Sequence, residues 1–482
     1  MSIFTSLSKK YNLMSRPAKA SLWFVFASIV QKGISLVTTP IFTRILTTDE
    51  YGTVSVYNSW LSILTIFATF ELATGVFNKA MIKYENDRNG YTSSTLFLST
   101  LISFAFFAVY LCGRTFWNRV LDLSTSMMVM LFLEIIFTEG MLFWSIRNRF
   151  DFEYKSVVFI TLAANIGGTL LSVLLVLVNK ENRAEYRVLG TLIIHIIIYS
   201  MVYFLLMKKG KKLIVPEYWK YAVGYNLPLI PHYLSQQILN QSDRIMISRM
   251  IGMGDAAIYT VAYQIAIVLN IITNAVHASF APWAFQKLKD GTNKKIGLVA
   301  FELEICICLT CFLFSLFAPE VILILGGKTY YNAIWVVPPV AMSIVFNVLY
   351  TLVANVAFYY EKTKFIMCGT VLSALANVVL NYIFIPIFGF VAAGYTTMAC
   401  FMIYSIIHYI FMLHICRTEG IENPFNGKLM LGVAFSAAIL SVISTILYQH
   451  TVSRYSVIIV GAILIIVFRK KITQILKAVK RK

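Results

Sequence analysis

Apolar runs of about 20 residues, the length that crosses the hydrocarbon core of a bilayer as a helix, recur along almost the whole chain with short polar turns between them. The pattern predicts about fourteen membrane-spanning helices. Six cover about 18–42, 54–78, 91–112, 122–146, 155–178 and 188–207, and six more about 222–248, 256–284, 296–318, 332–359, 365–388 and 391–414. A last pair falls near 428–448 and 453–469; the final span is bracketed by Arg454 and Arg469, which are expected to snorkel toward the interfaces. No stretch of about 40 residues lacks an apolar segment, which leaves no room for a soluble catalytic domain. The predicted fold class is an all-α polytopic membrane protein.

Two of the turns repeat each other. Phe42 to Tyr57 (FTRILTTDEYGTVSVY) and Ile247 to Tyr263 (ISRMIGMGDAAIYTVAY) each begin on an Arg leaving one apolar segment, Arg44 or Arg249. An acid follows, Asp49 or Asp255, and then a Thr-Val-Ser/Ala entry into the next segment. Six predicted spans separate the copies, so both have the same orientation, as in transporters built from two parallel halves. The expected organisation is an N-terminal lobe over 1–215, a C-terminal lobe over 216–420, and an extra helix pair with a basic tail over 421–482.

Composition agrees: 59% of the residues are hydrophobic, 13% are charged, and the mean hydropathy is +0.75. The net charge of +19 is spread over alternate turns, such as Lys79, Lys83 and Arg88, or Lys208, Lys209, Lys211 and Lys212. This bias points to a cytoplasmic location for both termini and to anionic lipid, with no nucleic acid, as the partner of the positive charge. Beyond Arg469, Ile472, Ile475, Leu476 and Val479 stand at helical spacing among lysines, as in a helix lying on a membrane surface. The first twenty residues show no cleavage site of a removable signal peptide. Cys308 and Cys311 have CxxC spacing but no partnering His or second pair, so neither a metal nor a redox centre is expected.

Candidate chemistry lies in polar residues placed where lipid would surround them. An ionisable side chain there costs on the order of 3 kcal/mol, so it normally faces a cavity or a partner. Lys32 is mid-helix, and Ser28, Lys32, Ser35 and Thr39 form one polar face. The seventh span carries Gln237, Asn240, Gln241, Asp243, Arg244 and Ser248; Asp243 and Arg244 point about 100° apart and each needs its own partner. They lie about a turn from the outer end, where a solvated gate charge is the competing reading. Glu71 near the inner end of the second span, and Glu134 and Glu139 in the fourth, are carboxylates able to bind a proton or a cation. Glu302 and Glu304 are expected to snorkel. Asn270, Asn274 and His277 share a face, as do Ser343, Asn347, Thr351 and Asn355, and Ser373, Asn377 and Asn381. Such stripes either line a hydrophilic cavity or join helices at roughly 0.6 kcal/mol per contact.

Ser28 through TTPIFTRILTTDEYG, with NQSDRIMISRMIG…DAAIYTVAYQIA (Asn240 to Ala266), resembles the opening helix and the Asp-Arg helix end of the polysaccharide repeat-unit (Wzx-like) flippases. These belong to the multidrug, oligosaccharidyl-lipid and polysaccharide exporter superfamily. The resemblance implies a MATE-like fold of two six-helix lobes around a central cavity with two extra C-terminal helices. It implies transfer of an undecaprenyl-diphosphate-linked oligosaccharide to the outer leaflet of a bacterial cytoplasmic membrane, with no bond made or broken. A polysaccharide polymerase and a chain-length regulator are the partners it suggests. Substrate-cavity candidates are Lys32, Arg244, Gln237, Asn240, Asn274, His277 and Asn347; coupling or gating candidates are Glu71, Glu134 and Asp243, with H+ or Na+ as the ion. No GxxxxGK[ST] loop is present, so ATP is not expected as the direct energy source. Glu71 and Lys79 stand where the family carries a Gly-rich stretch and an Arg. A lipid II flippase and a multidrug cation antiporter share the predicted fold; a membrane glycosyltransferase or polymerase would need a larger polar catalytic loop.

Overall fold

The computed structural model describes residues 14–480; the expectations for the N-terminal signal region and its lysines fall largely outside them. Among the described residues the secondary structure is helical, with no strand. The helices are α1 (Arg16–Ile45), α2 (Thr48–Thr69), α3 (Phe77–Lys83), α4 (Arg88–Cys112), α5 (Arg114–Leu121), α6 (Thr125–Phe150), α7 (Tyr154–Val178), α8 (Arg183–Gly210) and α9 (Pro216–Asn226). They continue as α10 (Ile230–Met250), α11 (Met253–Lys289), α12 (Asn293–Leu316), α13 (Ala318–Gly326), α14 (Val337–Tyr359), α15 (Thr363–Phe388), α16 (Phe390–Thr418), α17 (Gly427–Leu447) and α18 (Thr451–Lys480). Eleven are long and apolar enough to cross a membrane, so the chain is a multi-pass integral membrane protein. Helices α2 and α10 fall outside that set because Ser, Thr, Asn, Gln and charged residues interrupt them.

The chain divides into two compact units, 1–234 and 235–482. The dividing point lies within α10.

The repeated tract builds the same local structure twice. Helix α1 ends at Ile45 and α2 begins at Thr48; α10 ends at Met250 and α11 begins at Met253. In both copies a Thr hydroxyl bonds back one turn, Thr53 to the Asp49 carbonyl at 2.8 Å and Thr260 to the Ala256 carbonyl at 2.7 Å. The ends differ in chemistry. Thr47 and Glu50 form a reciprocal capping box, and Arg183 from α8 bonds Glu50 at 2.9 Å and the Ile45 carbonyl at 2.8 Å. The second copy enters α11 from Gly252 without a side-chain cap.

In the first unit, Phe77, Tyr91, Phe143 and Tyr218 build an aromatic core, and a second cluster surrounds Tyr57, Leu131 and Ile135. Near one end, Asp87 accepts from Lys212 at 2.6 Å and from Tyr218 at 2.5 Å. Burial, with the Asp87 bond and charge behind it, pushes the Tyr218 phenol above its ordinary value, so it stays a donor near neutrality. In the second unit α14 is the central element, with 89% of its apolar window buried, packed against α11, α12, α16 and α17. A helix apolar on all sides belongs in the interior.

Three expectations change. The span drawn over 54–78 is interrupted: α2 stops at Thr69, and Phe70 and Glu71 adopt φ of 51° and 52°, a conformation that ends a helix. Arg454 does not snorkel; it is 4% exposed and pairs with Glu320. Glu304 does not snorkel either, being 0% exposed with no hydrogen bond to either oxygen among the described residues. Helix α18 runs unbroken from Thr451 to Lys480.

Candidate functional site

In the second unit, Asp243 is 0% exposed and Arg244 8% exposed, so both side chains are buried rather than solvated. Helical spacing sends them to different neighbours. The Asp243 carboxylate accepts from Tyr259 Oη at 2.5 Å, Asn381 Nδ2 at 2.7 Å, Thr397 Oγ1 at 2.8 Å and, more weakly, Asn377 Nδ2 at 3.4 Å. Around that ring, Ser242 donates to Asn377 Oδ1 at 2.8 Å and Thr396 donates to Asn381 Oδ1. The cage ties α10, α11, α15 and α16 together. An ionised carboxylate with this many donors is well solvated by the protein. The groups that face the carboxylate are N–H and O–H donors, while the Asn377 and Asn381 oxygens are turned to Ser242 and Thr396.

Among the described residues Arg244 makes no ion pair with a carboxylate. Its guanidinium donates to the Asn240 carbonyl at 2.7 Å and to Gln241 Oε1 at 3.2 Å, with the Tyr263 ring 4.5 Å and the Tyr259 ring 5.8 Å from Cζ. Carbonyl dipoles and aromatic faces hold the cation in place without neutralising it. Of the companions expected here, Asn240 spends its amide on the Gln236 carbonyl at 2.7 Å, and Gln237 is half-buried. Asn274 is exposed, and His277 and Asn347 are half-buried; among the described residues no hydrogen bond joins any of the three to Arg244. The Ser343, Thr351 and Asn355 stripe bonds mainly to carbonyls of its own helix. The Asn377 and Asn381 stripe is different in kind, because it converges on Asp243.

In the first unit, Lys32 is half-buried on α1 and has neither a hydrogen bond nor an ion pair among the described residues. Ser28 and Thr39 on the same face bond to carbonyls of their own helix. Glu71 lies in the break after α2, where Thr74 donates to its Oε2 at 2.8 Å. Asn226, itself 0% exposed, donates to the Phe70 and Glu71 carbonyls at 3.2 and 2.6 Å and so caps the broken helix end. Glu139 is 5% exposed, its Oε1 has no hydrogen-bond partner among the described residues, and Glu71 is the neighbouring carboxylate whose charge bears on it.

Glu134 has a partner that the sequence reading missed. Its Oε1 lies 2.5 Å from His195 Nδ1 on α8, and the Tyr199 ring stacks on the imidazole at 4.6 Å. The signal was present: His195 is a lone basic group in the run LIIHIIIYS, a position that an apolar helix face does not accept without a partner. Tyr259, Thr396 and Thr397 were also missed, since a single hydroxyl in a transmembrane helix carries no mark of which neighbour it will meet. Cys308 and Cys311 are buried free thiols, and no group of His, Cys, Asp and Glu able to hold a metal occurs among the described residues.

Comparison with known proteins agrees with this architecture. The profile described as "Polysaccharide biosynthesis protein" matches residues 18–288. The "Lsg locus putative protein 1" of Haemophilus influenzae is 24% identical over 377 residues, covering 75% of this chain and 89% of that protein. Among solved structures, the lipid II flippase MurJ in an inward closed conformation superposes with a TM-score of 0.69 at 12% identity, covering 94% of this chain and 100% of that one. An inward-facing multidrug resistance MATE family transporter of the MOP superfamily gives 0.62 at 13% identity, covering 82% and 99%. The fold is therefore the one shared by MurJ and the MATE transporters, and the chain belongs to the polysaccharide biosynthesis protein family.

Proposed function

We propose that this protein is a flippase. It carries a polyprenyl-diphosphate-linked oligosaccharide repeat unit from the cytoplasmic to the outer leaflet of a bacterial cytoplasmic membrane by alternating access, for O-antigen, capsule or exopolysaccharide assembly. The observation that carries this reading is Arg244. A buried guanidinium whose partners are a carbonyl, an amide oxygen and aromatic rings keeps its full charge and the rest of its donor fork, which is the group that binds diphosphate best. Lys32 is the corresponding uncompensated cation of the first unit. Gln237, Asn240, Asn274, His277 and Asn347 are assigned to the glycan, whose hydroxyls need neutral donors and acceptors. The lipid tail needs no site, since it can stay in the bilayer.

The energy source in this reading is an ion gradient. Asp243 is the coupling carboxylate of the second unit: with the oxygens of Asn377, Asn381, Thr396 and Thr397 beside it, a Na+ would be bound by turning amides and hydroxyls, and a proton by the carboxylate itself. Glu71 and Glu134 are the candidates of the first unit. A multidrug cation antiporter would present uncompensated carboxylates to its cargo, whereas Asp243 is surrounded by donors, Glu139 and Glu304 are buried at 5% and 0% exposure, and Lys32 and Arg244 are cations without a carboxylate partner among the described residues. The family assignment favours a polysaccharide unit over lipid II, and a polymerase and a chain-length regulator would act on the delivered unit.

The test is complementation of a deletion strain. Lys32→Ala and Arg244→Ala are expected to abolish surface polysaccharide at native protein levels in the membrane; normal surface polysaccharide in both variants removes the cation-site reading.

A further inference from the structure

Glu134 and His195 form an isolated acid–imidazole couple inside the first unit. Glu134 lies nine residues into α6 and His195 twelve residues into α8, roughly 13 and 18 Å along their helices, near the middle of both spans. Their side chains are 11% and 12% exposed, at 2.5 Å from each other. Thr138 donates weakly to the same carboxylate oxygen at 3.4 Å. Tyr199 covers one face of the ring.

The titratable residues on the neighbouring helices are few. From α2 comes Tyr57, 3% exposed, its hydroxyl without a hydrogen-bond partner among the described residues. On α8 the neighbouring titratable groups are Tyr199 and, further along, Tyr203. On α6 the next is Glu139, five residues on and so turned about 140° away. Helix α4 has no titratable residue between Tyr91 and Tyr110, and α7 has none after Lys155. No lysine, arginine or second carboxylate forms an ion pair with either member among the described residues.

A couple that served only to join two helices would do better with neutral groups, because a buried ion pair seldom repays its desolvation. What an acid and an imidazole have that an amide pair lacks is an exchangeable proton: with one proton shared between Oε1 and Nδ1 the couple is net neutral, and with that proton gone it carries the single negative charge of Glu134. Carboxylate and histidine chains of this kind mark proton pathways in membrane proteins.

We propose that the Glu134–His195 couple is a proton-binding site of the first unit, loading one proton from water on one side of the membrane and releasing it to water on the other. The step forms and breaks only O–H and N–H bonds. It rests on the transport reading for its purpose, not for its existence.

Two measurements keep those apart. The first needs no cargo: pH-difference infrared spectra of the reconstituted protein are expected to show a protonated-carboxyl band that is absent in Glu134→Gln and displaced in His195→Gln. Identical spectra in parent and Glu134→Gln, with both proteins folded by size exclusion, would overturn the proposal whatever the protein transports. The second uses undecaprenyl-diphosphate-linked N-acetylglucosamine with a fluorescent label in proteoliposomes. One pH unit of gradient is worth about tenfold per coupled proton, and the parent's distribution of the label should respond on that scale while Glu134→Gln and His195→Gln respond about onefold. Retention of the parent's response in both variants would overturn the proposal.

Discussion

Asp243 and Arg244 are consecutive residues on α10, both buried, and they share no bond. The carboxylate is enclosed by Tyr259, Asn381 and Thr397, while the guanidinium rests on the Asn240 carbonyl and the Tyr263 ring. A salt bridge between them would cancel both charges. Their separation leaves one solvated anion and one uncompensated cation a few ångströms of backbone apart, and most of the functional reading depends on that separation.

The cation's role is open to a graded substitution. Arg244→Lys keeps the charge and loses the planar fork; Arg244→Ala loses both. With charged hydrogen bonds worth about 1.5–3 kcal/mol, the alanine variant is expected to bind a short-chain polyprenyl diphosphate about ten- to a hundredfold more weakly, with the lysine variant between it and the parent. Microscale thermophoresis on detergent-purified protein measures this, and equal affinity in all three proteins would exclude a diphosphate contact.

Asp243→Asn tests the cage. The amide places an N–H among donors that already point inward, leaving at least one of them unsatisfied at about 1–3 kcal/mol. A lower melting temperature in detergent is expected. An unchanged one would mean that the ring is looser than its distances indicate.

Much of this was legible in the chain. Apolar periodicity located the long helices, and the duplicated tract located two turns that fold alike, because a spacing of Arg, acid and Thr around a two-residue gap is a local property. Asp243 and Arg244 were picked out by their cost in lipid and by the 100° between them. The break after α2 was hidden, since Phe70 and Glu71 are not residues that announce a left-handed conformation; their carbonyls are held by Asn226, more than 150 positions away in the chain. His195 was missed for the same reason, its partner lying on another helix.

The break itself predicts a local effect. Asn226→Ala would release the Phe70 and Glu71 carbonyls, which Asn226 holds at 3.2 and 2.6 Å. Faster hydrogen exchange over residues 69–76 is expected, with exchange in the middle of α6 and α8 unchanged. No change at 69–76 would show that the aromatic core, not Asn226, fixes the turn.

Close packing of α7 on α8 depends on Gly190. A Cβ there would stand 2.5 Å from the Ser172 nitrogen and 2.7 Å from its Oγ, so Gly190→Val forces the helices apart. Overpacking costs about 1–3 kcal/mol, and a lower melting temperature is expected; Gly224, with nothing within 4 Å of its added Cβ, supplies the control substitution Gly224→Ala.

The central claim is that the cargo is an anionic lipid-linked glycan recognised at uncompensated cations. The most direct measurement is leaflet transfer in proteoliposomes holding purified protein, with labelled undecaprenyl-diphosphate-linked N-acetylglucosamine and the cationic dye ethidium compared side by side. The account predicts protein-dependent transfer of the glycolipid, its loss in Lys32→Ala and Arg244→Ala, and no protein-dependent movement of ethidium. Movement of ethidium with no transfer of the glycolipid would contradict it.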